Sequence, residues 1–256
     1  MEQDQKDRSR VSKVLEALAT GIVEGKYSAG LPRQDELSTE FGVSHTVMRE
    51  ALSVLRARNM LDVRRQAGTH VLPAHDWRMI DEDVVGWRLR ARPDPTFLRD
   101  IIELRLLIEP RAAALAAARG DPADVAAIGE AFDVFRATRP GEPSYQAAGE
   151  LLRMRIVTAS GNQFFQQMAI IIGGTPSTLN LVANSREGAW GDAVRAYGRV
   201  VEAIERADQN EAEVASFALF DHWGGESMPS QPDLFIRGPA PSECSLTDAL
   251  VTKEAT

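Results

Sequence analysis

The stretch DELSTEFGVSHTVMREALSVLRARNMLDVRRQAGTHV, residues 35–71, has the pattern of a short helix, a turn, a second helix and a two-stranded hairpin. Gly42 follows the first helix at a place where the turn needs a positive φ. Val43 supplies an apolar side chain between the two helices, and Ser44 occupies the N-cap position of the second. The stretch therefore predicts a winged helix-turn-helix.

The second helix of this stretch has one apolar face and one polar face. Its inward-facing residues recur three to four positions apart, and they are Val47, Ala51, Leu52 and Leu55. His45, Thr46 and Arg49 are left on the outward face. Ser44 and Thr46 at the positive start of the helix can hold a phosphate, and Arg49 can reach a guanine edge with its paired donors. This face predicts that the helix enters a groove of double-stranded DNA.

The hairpin after this helix is the wing. Residues 61–65 and 69–72 are short, partly alternating segments that read as strands, with a tip between them that ends at Gly68. Arg64 and Arg65 lie next to the tip, where their side chains can reach the DNA backbone or the minor groove. The wing is therefore a second predicted DNA contact.

Charge is unevenly divided along the chain. The 256 residues carry a net charge of −8, but residues 1–75 hold 11 Lys and Arg against 10 Asp and Glu, a balance of +1. The remainder holds 18 against 27, a balance of −9. A near-neutral DNA-binding domain implies modest non-specific affinity, so binding should depend on a few placed arginines and on dimerisation.

Composition excludes several classes of protein. With 44% hydrophobic and 26% charged residues the chain is typical of globular proteins, and no run approaches the ~18 apolar residues of a membrane span. The polar first ten residues favour a cytoplasmic address without membrane contact. Cys244 is the lone cysteine, so it cannot form an internal disulfide. No nucleophile–base pair or phosphate loop supports the alternative of an enzyme, and no catalytic residue is predicted.

The pattern predicts a mostly α protein in four parts. The winged helix-turn-helix domain spans 8–75, and a linker over 76–94 contains a short helix at 82–90 whose apolar face can serve either neighbouring domain. Helical periodicity punctuated by Gly and Pro fills 95–228, which predicts an all-α helical-bundle domain. Residues 229–256 are rich in Pro, Ser and small residues, so a disordered tail is expected.

Residues 31–71 resemble the DNA-binding domain of GntR-type bacterial regulators, whose pattern is LP-x-E-x-x-L-A-x-x-x-G-V-S-R-x-x-V-R-E-A-L followed by a G-x-x-V wing. Against this pattern, His45 replaces the usual Arg, so the family's operator sequence does not transfer to this chain. Asp35 replaces a frequent Arg, and Arg33, two residues away, can take over its DNA contact.

The helical part carries a second resemblance. DIIELRLLIEPRAAALAAARG and the ASGN of residues 159–162 are similar to the FCD effector domain of the FadR subgroup. The linker is similar to that of sugar-acid-responsive members of the galactonate-repressor type. Together the resemblances cover about residues 8–228 and imply a transcriptional regulator whose helical domain binds an effector.

Most FCD domains hold a divalent metal through an Asp and a His four residues apart, then one His on each of two further helices. The resemblance aligns these positions with Gly149, Arg153, Tyr197 and His222. One remaining imidazole does not make a metal site, so neither a metal nor another cofactor is predicted.

The replacements favour an anion. Arg153 places a permanent cation where the metal charge would lie, Tyr197 adds a hydroxyl, and Arg105 stands at the family's Glu-x-Arg position. We therefore expect Arg105, Arg153, Tyr197 and His222 to bind a small organic acid, such as a sugar acid. Three other interpretations stay open: Arg105 pairs with Glu109 at i,i+4, Arg153 is solvated or ion-paired, and His222 is packed or exposed.

The sequence thus predicts a homodimeric regulator whose two winged domains bind the half-sites of a pseudopalindromic operator, with repression as the expected sign. The acid would favour a domain arrangement whose spacing no longer matches the half-sites. The alternative is a DNA-binding regulator whose effector domain only dimerises.

Overall fold

The computed structural model describes residues 2–64, 68–91, 95–173 and 189–221. Its helices are α1 Glu2–Val23, α2 Gln34–Glu40, α3 His45–Ala57, α4 Glu82–Arg90, α5 Pro95–Arg119, α6 Pro122–Ala137, α7 Pro143–Ala159, α8 Gln163–Gly173, α9 Ala189–Glu205 and α10 Gln209–Asp221. A 3₁₀ turn, Ala74–Asp76, and two strands, β1 Leu61–Arg64 and β2 Gly68–Val71, complete the elements of these ranges. The predicted fold class, mostly α with an N-terminal winged helix-turn-helix, is confirmed.

The winged domain is built on α1, α2 and α3. Leu18 of α1, Leu37 of α2, and Met48 and Leu55 of α3 are fully buried in one core. Gly42 has φ +61 in the turn between α2 and α3, as the sequence predicts. The inward face of α3 differs in one respect: Met48 is fully buried, whereas Leu52 is only half-buried.

The wing is an antiparallel pair in which Leu61 faces Val71 and Arg64 faces Gly68. The first strand begins at Leu61 as predicted, whereas the second strand lies one residue earlier than predicted, at Gly68–Val71. Gly68 has φ +84, a conformation that glycine adopts without a steric penalty. The rest of the predicted tip, residues 65–67, lies outside the described residues.

The linker helix α4 has the predicted bounds. Asp81 is its N-cap, and the Asp81 side chain accepts hydrogen bonds from the backbone N–H groups of Asp83 at 3.1 Å and Val84 at 3.2 Å. Val84 and Trp87 pack into the core of the winged domain. Val85 and Leu89 pack on the other side, against Phe97 and Ile101 of α5. The apolar residues of α4 therefore serve both neighbours, where the sequence left the choice open.

Helices α5 to α10 form a bundle in which α5 packs against both α7 and α10. The second half of α5 is buried through small side chains, which allow close approach of the neighbouring helices: Ala112, Ala113, Ala114, Ala116 and Ala117. Arg105 lies over the ring of Phe220, whereas Arg111 pairs with Glu213 at 3.8 Å. In these two contacts the residue number rises along α5 while it falls along α10, so the two helices are antiparallel.

Candidate nucleic-acid interface and effector site

The start of α3 presents the predicted groove-facing residues. Ser44 caps the helix with extended backbone angles, φ −68 and ψ 154, and its Oγ accepts a hydrogen bond from the Val47 N–H at 3.4 Å. His45, Thr46 and Arg49 are all exposed. Because the apolar face of α3 packs in the core, these side chains point away from the core.

Three hydrogen bonds form a closed ring at the start of α3, one within α2 and two between α2 and His45. The Ser38 hydroxyl donates to the Gln34 carbonyl oxygen at 2.7 Å, and the Gln34 side-chain amide donates to the His45 carbonyl oxygen at 3.2 Å. The ring closes between His45 Nδ1 and Ser38 Oγ, which lie 3.5 Å apart. This ring fixes the first turn of α3 against α2.

A concave groove of about 810 Å³ lies between the outward face of α3 and the wing. Its lining residues are Gln34, Thr46, Arg49, Glu50, Leu52, Ser53, Arg56, Val63 and Thr69. Arg56 and Ser53 were missed by the sequence analysis, although they follow Arg49 at i+7 and i+4 on the same helical face. The groove offers two guanidinium groups and short polar side chains, which suit phosphates and base edges.

Other predicted DNA contacts are less completely defined. Arg33 is exposed at the N-cap of α2, and its backbone N–H donates to the Glu36 carboxylate at 2.8 Å. The N–H of Leu31, two residues earlier, donates to the carbonyl oxygen of Thr69 at 3.0 Å, which ties this segment to β2. The side chain of Arg64 and all of Arg65 lie outside the described residues.

Arg58 joins α3 to the linker helix. It is the C-cap residue of α3, and its guanidinium pairs with Asp81 at 3.0 Å and also with the Asp83 carboxylate. The guanidinium carbon lies 5.5 Å from the ring centroid of Trp87, which adds a cation–π contact. On α1, Glu16 accepts from the Trp87 indole N–H at 2.7 Å. The end of α3 is therefore held by the helix that also packs on α5.

In the bundle, Arg105 is buried and paired. Its Nε donates to Glu109 Oε1 at 2.6 Å, and the two side chains are only 4% and 7% exposed. The i,i+4 pair that the sequence left open is thus present. Glu109 was not among the predicted site residues, although an acid four residues after Arg105 on one helix is the available signal.

Arg153 is also buried, with 4% of its surface exposed, and its Nε has no hydrogen-bond partner among the described residues. Burial disfavours its charge, but interactions with Tyr197 and Glu109 outweigh that effect and hold the pKa of Arg153 above its ordinary value. The side chain also hydrogen-bonds with Tyr197. Arg153 is therefore a buried permanent cation, and one of its donors is unpaired within the described ranges.

Gly149 and Tyr197 complete the surroundings of Arg153. A Cβ at Gly149 would lie 3.4 Å from the Phe135 ring and 3.6 Å from Arg153 Nη1, so the guanidinium fills the space beside the glycine. The Tyr197 ring packs edge-on against Phe135 with centroids 5.3 Å apart. His222 lies outside the described residues.

The electrostatics of this interior do not suit a divalent cation. Arg105 and Arg153 both interact with Glu109, and Arg153 also interacts with Glu150, so two guanidinium groups lie close to two carboxylates in this region. A guanidinium cannot ligate a metal, and Gly149 has no side chain to do so. Across the described ranges no group of three or more His, Cys, Asp or Glu could hold a metal ion. The donor set fits an anion instead.

Comparison with known proteins agrees with this two-part description. Residues 10–71 match the family model described as bacterial regulatory proteins, gntR family, and residues 100–222 match the FCD domain model. No helix in the described part of the chain is long and apolar enough to cross a membrane.

Several proteins are similar over long stretches. The galactonate operon transcriptional repressor of Escherichia coli K12 is 28% identical over 218 residues, covering 82% of this chain and 93% of the repressor. The HTH-type transcriptional regulator Mce2R of Mycobacterium tuberculosis is 32% identical over 128 residues, or 45% of this chain and 49% of that protein. A solved structure of Lar, which controls expression of the Listeria monocytogenes agr system, is 17% identical with a TM-score of 0.50 and covers 83% of this chain and 95% of its own.

Proposed function

The chain belongs to the GntR family of bacterial regulatory proteins and carries an FCD domain, and from this premise we propose a homodimeric repressor that senses a small organic acid without a metal. Members of this family regulate transcription, so the chain is a DNA-binding transcriptional regulator and not an enzyme.

The DNA-binding surface is the outward face of α3 together with the wing. The observation that carries this step is the exposed Arg49 on a Ser44-capped helix, where it lines a groove together with Arg56. Helices of this kind place their N-terminal residues against base edges in the major groove. The proposed contacts are Arg33, Ser44, His45, Thr46, Arg49, Arg64, Arg65 and Gly68.

The effector is an anion held in the bundle. The supporting observation is the buried, charged Arg153, whose Nε–H has no partner among the described residues, since an unpaired buried donor costs about 1–3 kcal/mol that a ligand carboxylate would recover. The related E. coli protein is named for a galactonate operon, and galactonate is a hydroxy acid. A ligand of that class would meet Arg153 and Arg105 with its carboxylate and Tyr197 with a hydroxyl, and His222 belongs to the same proposed site.

The dimer forms through α5 and α10. Leu107 of α5 and Val214 and Phe217 of α10 are 51%, 57% and 36% exposed. Arg111 of α5 lies opposite Glu213 of α10, and the two helices are antiparallel. Leu107 precedes Arg111 by one helical turn and Phe217 follows Glu213 by one turn, so both lie in the same direction from that ion pair. The three side chains thus form an apolar patch across adjacent helices, and such patches mark interaction sites. Two copies joined here would present two winged domains to a pseudopalindromic operator.

Helix α4 would transmit the effector signal. It contacts α5 through Val85 and Leu89 and holds the end of α3 through Asp81 and Asp83. A shift of α5 on ligand binding would therefore move α3 and change the spacing of the two winged domains. The same proposal includes a division of the chain into three parts, 8–75, 76–94 and 95–228. It also includes a cytoplasmic location, as expected of a regulator of bacterial DNA.

A regulator whose FCD domain only dimerises is the second candidate. It is favoured by the Arg105–Glu109 ion pair, which satisfies one of the two arginines without any ligand. The two candidates differ in their response to acids, not in DNA binding.

The test combines DNA binding with a ligand screen. The purified protein is mixed with its own upstream region and with random duplex, and its melting temperature is measured with a panel of hydroxy acids before and after treatment with a chelator. Sensing predicts that one acid raises the melting temperature and releases the upstream fragment, and that chelation changes neither effect. Operator binding without any acid-dependent shift would favour the dimerisation module.

A further inference from the structure

The hydrogen-bond ring at the start of α3 determines where the proton lies on His45. Ser38 has one hydroxyl proton, and the 2.7 Å bond to the Gln34 carbonyl oxygen uses it. Toward His45 Nδ1, 3.5 Å away, Ser38 Oγ can then act only as an acceptor. Nδ1 must therefore carry the proton if the ring is closed.

A neutral imidazole with its proton on Nδ1 has a lone pair on Nε2, so Nε2 is a hydrogen-bond acceptor. His45 is the first residue of α3 and is exposed on the same surface as Thr46 and Arg49. Its carbonyl oxygen also accepts from the Gln34 side chain, which limits movement of the backbone that carries the ring. The DNA-facing side of α3 therefore presents a fixed acceptor at His45 next to the donors of Arg49.

The bases differ in whether they offer a hydrogen-bond donor to such an acceptor in the major groove. Adenine N6 and cytosine N4 are exocyclic amino donors, whereas guanine presents only acceptors and thymine presents an acceptor and a methyl group. We propose that His45 is a specificity-determining residue that accepts a hydrogen bond from an adenine or cytosine amino group, with Ser38 as its positioning residue. The inference rests on the proposed function, because it requires α3 to lie in the major groove.

The test is selection of bound sequences from a randomised duplex library at about pH 8, where a histidine side chain is ordinarily neutral. Wild-type protein, His45→Arg, His45→Ala and Ser38→Ala are compared. His75→Arg is the matched control, because His75 is exposed, with 82% of its side chain accessible, and lies in the 3₁₀ turn outside α3.

Wild type and His75→Arg should enrich adenine or cytosine about three- to tenfold at one position of each half-site, as expected for a single hydrogen bond. His45→Arg, which carries only donors, should change that position to guanine and leave the other positions unaltered. His45→Ala should make the position indifferent, and Ser38→Ala should weaken the preference because the imidazole proton is no longer held on Nδ1. Ser38→Ala is informative because a purely structural role would lower affinity for all sequences equally.

Two results would overturn the inference while leaving DNA recognition by α3 in place. One is an identical motif for wild type, His45→Arg and His45→Ala, and the other is an unchanged wild-type affinity when base analogues remove the adenine or cytosine amino group from this base pair. Failure of every protein to enrich any motif would instead reject the proposed function itself, and the inference with it.

Discussion

Arg153 shows how one side chain changes the chemistry of a whole site. Its guanidinium lies in the bundle interior beside Gly149, and its Nε has no partner in the described part of the chain. Most arginines on amphipathic helices are exposed, so helical periodicity alone gives no reason to place this one inside. Its position was inferred from the resemblance to FCD domains. Its burial could be established only from the packed helices.

Replacing Arg153 by methionine tests its role without opening a cavity. Methionine has a similar length and no charge, and Glu109 still accepts from Arg105. We expect the free energy of unfolding to fall by about 1–3 kcal/mol, because Tyr197 and Glu109 lose their interactions with the Arg153 guanidinium. The melting-temperature shift given by the effector acid should disappear. Calorimetry with and without the acid measures both effects.

Arg155→Met is the matched control for this experiment. Arg155 is on the same helix, two residues away, and is exposed. It should keep the full response to the acid. Loss of the response in both variants, or in neither, would remove Arg153 from the proposed site.

For α4 the sequence predicts the bounds of the helix correctly, but it does not predict which residues the helix packs against. Its bounds follow from local signals, since Asp81 is an N-cap residue and acidic residues fill the first turn. Its partners do not follow, because periodicity shows that Val84, Val85 and Leu89 are apolar but not which core each joins. The second strand was misplaced for a related reason: the ladder begins at Gly68, a residue that β propensity would exclude.

The link between α3 and α4 gives a prediction for Arg58. Arg58→Met removes the ion pairs with Asp81 and Asp83 and should lower the free energy of unfolding by about 1–3 kcal/mol. Operator affinity without the acid should stay within about threefold, because Arg58 follows the DNA-facing part of α3. The acid should release DNA less effectively, because a shift of α5 would no longer be passed firmly to α3. Urea unfolding and fluorescence anisotropy measure these effects.

The control for Arg58 is Arg78→Met, which removes an exposed arginine from the linker. It should leave stability and the acid response unchanged. A full acid response in Arg58→Met would show that the signal reaches the winged domain by another route.

At the scale of the whole molecule, DNA binding should depend on dimerisation and on how charge is distributed along the chain. The sequence assigns +1 to residues 1–75 and −9 to the remainder, so specific DNA binding by this chain should gain more from pairing two winged domains than from general attraction. The sequence predicts a dimer but does not indicate the surface that we propose for it. Leu107, Val214 and Phe217 come from distant segments, and only the antiparallel packing of α5 and α10 brings them together.

A charge placed in this patch should separate the two copies. Leu107→Glu introduces a carboxylate that would be buried at the interface, a desolvation cost of several kcal/mol per ion. We expect a monomer in sedimentation equilibrium and at least about a tenfold loss of operator affinity. Val134→Glu, at a valine of α6 that is likewise 51% exposed, is the control and should remain dimeric. A dimer that persists in Leu107→Glu would place the interface elsewhere.

The most direct test of DNA reading by α3 is the operator preference of Arg49→Ala, measured as the ratio of its affinities for the selected operator and for random duplex. Loss of one arginine contact to guanine costs about 1–3 kcal/mol. Summed over two half-sites, that loss should reduce the ratio at least about 30-fold, with Arg206→Ala in the FCD domain unchanged. An unaltered ratio in Arg49→Ala would contradict the account.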